Sequence, residues 1–155
     1  MTVRIEALPT DIVEALRNGG NDSYGHKPER SISDGVGIPC RHCLKGVKKG
    51  EEFLVVAHRP FSATQPYAET GPIFLHAEPC ERAAAGSEMP EILESESYIV
   101  RGYDADERIV YGTGQVVPTQ AISQFADELL KRPDIAFVHV RSAQNNCYQM
   151  RIESA

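Results

Sequence analysis

No apolar run in the sequence approaches the roughly 20 residues a helix needs to cross a bilayer, which excludes a helical membrane protein. The stretch Met1-Thr2-Val3-Arg4-Ile5-Glu6 lacks the apolar centre of a signal peptide. The expectation is a cytoplasmic protein, in a compartment that keeps thiols reduced. Positive charge is also short, since 16 Lys and Arg against 22 Asp and Glu leave a net charge of −6. A nucleic-acid footprint needs clustered Lys and Arg to displace counterions. The one dense basic run, Lys45, Lys48 and Lys49, reads as a solvated turn, so no extensive nucleic-acid surface is expected. What remains is ordinary globular composition, 41% hydrophobic and 25% charged, over 155 residues. That length suits a single domain over 1–155, with room for a sub-lobe over 35–86.

Cysteine is scarce as well, yet three of the four fall in one stretch, as Cys40-x2-Cys43 and His76-x3-Cys80. A two-residue gap lets both thiolates of a tight knuckle turn toward one centre, and the second pair follows a hairpin-length interval. Cys80 opens Cys80-Glu81-Arg82-Ala83-Ala84-Ala85, which reads as a short helix whose N-terminal N–H groups would favour a thiolate. Cys40, Cys43, His76 and Cys80 are therefore the candidate ligands of a metal, and the donor set suits zinc. Three other readings compete. A redox dithiol would place its cysteine at the start of a long helix, whereas Gly46 and Gly50 with the lysines between them are turn chemistry. A structural disulfide requires export, and buried cysteines can also pack as inert small hydrophobes.

Along the chain, Val3–Ala7 alternates like a strand, and Pro9 with Thr10 or Asp11 opens a helix that Asn18-Gly19-Gly20 stops. Residues 18–37 read as a long loop. Phe53–His58 is a near-continuous apolar run, the pattern of a central strand. Tyr98–Tyr103 and Arg108–Val117 form a hairpin across 104–107. Thr119 caps a helix in which Ile122, Phe125, Ala126, Leu129 and Leu130 recur at helical spacing. Ala136–Arg141 and Cys147–Ile152 form the second hairpin. The expected fold is α+β: a mostly antiparallel sheet with a C-terminal ββαββ unit, preceded by a helix and the cysteine knuckle.

In the last hairpin, strand alternation sets Val138 and Val140 toward the core with Tyr148, Met150 and Ile152. The other face then collects Phe137, His139, Arg141, Cys147, Gln149 and Arg151. His139, Arg141, Cys147 and Arg151 are the candidate ligand-binding residues, since a guanidinium offers a fork matching carboxylate or phosphate. Cys147 and His139 could instead form a nucleophile pair, and an exposed polar face with no ligand is the bland alternative. Glycines at 102, 112 and 114 would let a ligand or another segment approach the backbone.

Taken together, Pro39-Cys40-Arg41-His42-Cys43-Leu44, Pro66-Tyr67-Ala68-Glu69-x-Gly71-Pro72-Ile73-Phe74, Arg101-Gly102-Tyr103-Asp104, Tyr111-Gly112-Thr113-Gly114 and His139-Val140-Arg141-Ser142-Ala143-x-Asn145-Asn146-Cys147 resemble the bacterial family called domain of unknown function 1203. The resemblance covers nearly the whole chain and implies no particular activity. More loosely, residues 40–85 resemble a treble-clef zinc finger such as that of poly(ADP-ribose) polymerases, which implies a zinc site. The three-residue gap between His76 and Cys80 departs from the usual two, and Cys147 or His42 could take the place of His76. Two classes of function follow. One is a metal-stapled module that binds a ligand, expected to be a small anion, or a partner; the other is a small enzyme using the Cys/His pair or an open zinc position.

Overall fold

The computed structural model describes residues 3–155. In chain order the elements are β1 (Val3–Glu6), α1 (Thr10–Arg17), β2 (Glu29–Ile32), β3 (Glu52–His58), β4 (Gly71–His76), β5 (Ser97–Tyr103), β6 (Gln115–Pro118), α2 (Ile122–Leu130), β7 (Phe137–Ser142) and β8 (Tyr148–Ser154). Five strands form one sheet in the order β1-β8-β7-β5-β6 and three form a second, β2-β3-β4. Every neighbouring pair is antiparallel, so the fold is α+β as expected.

Helix α2 lays Ile122, Ala126 and Leu129 on the large sheet, against Val3, Ile5, Val100, Val138, Val140, Met150 and Ile152. Each fully buried aliphatic side chain contributes about 1.5–3 kcal/mol, which fixes the helix to this face. A second core lies between the small sheet, α1 and the knuckle, where Val13, Cys40, Leu54, Val56, Ile73 and Leu75 are buried together. Helix α1 begins after Pro9 and ends at Asn18, beyond which Gly19 has φ +91°, a left-handed stop suited to glycine.

The C-terminal ββαββ unit is present, with one strand shorter than the sequence suggests. Asp104 does make the turn, its Oδ1 accepting the N–H groups of Asp106 and Arg108 at 2.9 and 3.0 Å. The returning chain then leaves the ladder after the Tyr103–Ile109 bridge and rejoins β5 only at Gln115. Gly112, at φ +89°, turns the excursion, and the buried Thr113 hydroxyl accepts the Gly102 N–H at 3.0 Å. The hydroxyl thus supplies the acceptor that a continuous strand would have supplied. Gly102 opens no path to a ligand either: a Cβ there would lie 2.7 Å from Cδ1 of Ile135.

Other local differences have equally plain causes. Thr119 caps nothing, because its hydroxyl bonds the carbonyl of Ser95 and a 3₁₀ turn leads into α2. Strand β2, inside the expected long loop, is exposed at all four residues and is held by backbone pairing with β3, so it carries no apolar alternation to read. Cys80–Ala85 is not helical. Its backbone is used elsewhere, the Ala83 N–H reaching the His42 carbonyl at 2.9 Å and the Gly86 carbonyl accepting from Ile5 at 2.7 Å.

Register changes at the β7–β8 hairpin. Val138 pairs with Ile152 and Val140 with Met150, but the next pair is Arg141 with Tyr148, leaving Gln149 without a partner. That bulge places Tyr148 on the Arg141 face, opposite to the alternation expected for it. The face itself is covered: Phe137, His139 and Arg141 are all buried, beneath Phe61 and the small sheet. An exposed polar surface is therefore not what these alternate residues form.

Candidate metal centre and the covered sheet face

The knuckle closes through a Pro39–Gly46 bridge and a Leu44 N–H to Cys40 carbonyl bond of 2.9 Å. Leu44 is held at φ 54°, in the left-handed region, an arrangement that costs a non-glycine residue about 1–2 kcal/mol. The turn places Cys40 and Cys43 beside the end of β4, because Cys40 bridges Phe74 in parallel and the His76 N–H donates to the Cys40 sulfur at 3.3 Å. Cys80 arrives from the irregular segment after β4, which bends at Ala77 and Glu78.

The donor atoms of Cys40, Cys43, His76 and Cys80 all lie within 4.8 Å of one another. Bonds of about 2.3 Å to sulfur and about 2.0 Å to nitrogen, at tetrahedral angles, put two sulfurs about 3.8 Å apart and a sulfur and a nitrogen about 3.5 Å apart. The Cys40–Cys80 sulfur separation is 3.9 Å, and Cys43 Sγ lies 3.4 Å from His76 Nδ1. The spacing fits a tetrahedral ion. No disulfide joins the cysteines.

Electrostatics agree with the geometry. A hydrogen bond from the Cys43 thiol, aided by the backbone N–H groups of Cys43, His76 and His42, holds the Cys40 thiol down to about 4. The same bond, with burial, pushes Cys43 up. Burial and the Cys40 charge push Cys80 up, against the Arg17 guanidinium that donates to its sulfur at 3.0 Å. Three thiols crowded this closely cannot all ionise unless a cation joins them, and a dication would supply that charge. Neither His42 nor Cys147 belongs to the group. His42 instead places Nδ1 3.1 Å from Cys80 Sγ and Nε2 2.9 Å from the Thr10 hydroxyl, bracing the fourth ligand from behind. Because Cys80 lies in an irregular segment, its sulfur gains no helix N-terminus.

The four residues expected to share a ligand face lie apart in use. His139 is fully buried among Phe61, Tyr103, Phe137 and Tyr148, with ring centroids 4.8 to 5.3 Å away, and neither of its ring nitrogens has a partner. Burial, followed by the nearby Arg141, Arg151 and Arg101, pushes its pKa well below the ordinary histidine value. Arg151 stacks its guanidinium 3.8 Å over Phe137 and pairs with Glu153 at 3.1 Å. It lines a wide groove with Leu8, Ile12, Phe61 and Arg82. Arg141 and Cys147 line a different cavity of about 200 Å³, together with His58, Glu69 and Asn146.

Sequence reasoning passed over three participants. Arg41, inside the knuckle and 3% exposed, donates from Nε to the Tyr148 carbonyl at 2.8 Å and from Nη1 to the Pro39 carbonyl at 2.7 Å. Burial brings its pKa down to about 10, so it stays charged at neutral pH. Glu69 serves two arginines at once, 2.9 Å from Arg101 and 3.5 Å from Arg141. His58 is buried with Nε2 unpartnered, and burial with the charges of Arg41, Arg59 and Arg141 lowers its pKa to about 4. A charged residue between two knuckle cysteines, and an acid just ahead of a strand, were the available signals.

No curated protein and no solved structure matches the chain. The sequence model of the family described as protein of unknown function (DUF1203) matches residues 37–154, spanning the knuckle, the covered face and the ββαββ unit, and the chain belongs to that family.

Proposed function

We propose that the protein is a zinc-stapled ligand-binding module whose ligand is a small anion. One observation carries the reading: four protein donors, three sulfurs and one imidazole nitrogen, lie within 4.8 Å of one another. Four protein ligands saturate a tetrahedral zinc and leave no position for water or substrate, the character of a structural rather than a catalytic site. Zinc here would tie the knuckle, the end of β4 and the segment after it into one lobe. The free energy of metal binding would then be folding free energy for that lobe.

The thiol-enzyme alternative has less support. A Cys147–His139 nucleophile needs a hydrogen bond between the two, and both nitrogens of His139 are unpartnered. The anionic ligand follows from charge. The sheet face covered by the lobe carries Arg101, Arg141 and Arg151, within a chain of net charge −6. Metal analysis of untagged protein tests the staple. One zinc per chain is expected, with Cys147 the one thiol that reacts freely under native conditions. Metal-free protein with four reactive thiols would refute it.

A further inference from the structure

Arg141 is 4% exposed, yet its guanidinium is poorly paired. Nη1 reaches the Asn146 carbonyl at 3.2 Å and Glu69 at 3.5 Å, while Nε and Nη2 have no acceptor. Glu69 cannot make up the deficit, because its closer contacts are Arg101 at 2.9 Å and the Asn146 amide at 3.0 Å. One carboxylate is shared by two guanidiniums. The third arginine of the neighbourhood, Arg41, hydrogen-bonds to carbonyl oxygens and lies over the Phe74 ring, and no carboxylate among the described residues forms an ion pair with it. Buried charge without a counter-ion is costly, so the surroundings of Arg141 are short of one negative charge and of acceptors.

Space for the missing group lies alongside. The cavity of about 200 Å³ is lined by Arg141, Glu69, Asn146, Cys147 and His58. His58, also in the wall, carries a third unpartnered polar atom, Nε2, buried behind its surface. The volume holds a group of a few heavy atoms, or several waters at about 30 Å³ each. Charge decides between these occupants, since water supplies acceptors but no counter-charge.

We propose that this cavity, between the start of β4 and the β7–β8 turn, is the binding site for a compact oxyanion, a small carboxylate or a phosphate, held by the Arg141 fork with Cys147 in the wall. The inference rests on the reading of the chain as a ligand-binding module and supplies its site. Nε and Nη2 are themselves closed to solvent, so the anion first meets Nη1, taking over the share that Glu69 covers at 3.5 Å, and a small turn of the guanidinium brings a second donor of the fork to it. His139 and Arg151 are not part of the site.

The test follows alkylation of Cys147 by iodoacetamide, read by peptide mass, with acetate or inorganic phosphate added at constant ionic strength. Binding is expected to slow Cys147 alkylation about fivefold or more at saturation. Separate titrations with acetate and with phosphate show which oxyanion is preferred. Arg141→Lys, which keeps the charge but loses the fork, is expected to weaken the effect about tenfold, and Glu69→Gln to strengthen it severalfold. Cys147 alkylation unaffected by either anion in the wild type would overturn the proposal, as would equal affinities in wild type and Arg141→Lys, or weaker binding in Glu69→Gln. Zinc content measured on the same samples separates this failure from failure of the staple: one zinc per chain with no anion response removes the anion site alone.

Discussion

Arg41, between the two knuckle cysteines, donates from Nε to the carbonyl oxygen of Tyr148 at 2.8 Å, across 107 residues of chain. This bond ties the cysteine knuckle to β8 of the large sheet, and a second bond from the same guanidinium, to Pro39 at 2.7 Å, fixes the knuckle itself. Arg41→Ala leaves both carbonyls without that donor and opens a void. It is expected to lower unfolding free energy by about 3 kcal/mol, the scale of two lost bonds to a charged group. Denaturant unfolding measures this, and a loss below about 1 kcal/mol would show the tie to be unimportant.

Cys40→Ser removes the ligand to which the His76 N–H donates and from which Cys80 stands 3.9 Å. The variant is expected to lose zinc, and the β2–β4 region to lose protection. Apparent binding energies of structural zinc, about 10–16 kcal/mol, match or exceed the whole stability of a typical domain. Hydrogen exchange should show fast exchange over 29–76 in Cys40→Ser and in chelator-treated wild type. Full protection in both would contradict the expectation.

Acid sensitivity should follow from two of the three buried histidines, His58 and His139. His58 is lowered to about 4 and His139 lies well below its ordinary value. For each, the unfolded chain binds a proton first as pH falls below about 6.5. Their contribution to stability is present above that pH and is lost as pH falls toward the folded-state values. For His58 the full loss is on the order of 3 kcal/mol. His139→Leu retains the metal ligands, so comparison with wild type isolates the histidine from acid release of zinc. Unfolding at pH 7.5 and 5.5 should show the smaller loss in His139→Leu, and equal losses would contradict the assignment.

Thr113→Val keeps the shape of the excursion between Ile109 and Gln115 but deletes the hydroxyl that accepts the Gly102 N–H at 3.0 Å and donates to Val110 at 2.6 Å. A buried donor and acceptor without partners should cost about 1–3 kcal/mol. Thermal unfolding measures it, and an unchanged melting temperature would mean that water replaces the hydroxyl.

The sequence was readable where spacing and periodicity act locally. Cys40-x2-Cys43 with His76 and Cys80 named the four clustered donors, and the 3.6-residue recurrence of Ile122, Ala126 and Leu129 named the helix that covers the sheet. It was not readable where one residue's role depends on distant chain. The bulge that moves Tyr148 to the Arg141 face changes strand parity at Gln149, and alternation carries no sign of it. The backbone of 80–85 is not helical, and the His42 carbonyl claims the Ala83 N–H, a partner that helix propensity does not include. Likewise, the covering of His139 by Phe61 depends on how the small sheet seats against the large one.

The most direct trial of the zinc staple is X-ray absorption at the zinc edge on untagged protein. One zinc per chain is expected, with three sulfurs at about 2.3 Å and one nitrogen at about 2.0 Å. A first shell with an oxygen ligand in place of a sulfur, or protein that retains no zinc and loses no stability without it, would contradict the closed site formed by Cys40, Cys43, His76 and Cys80.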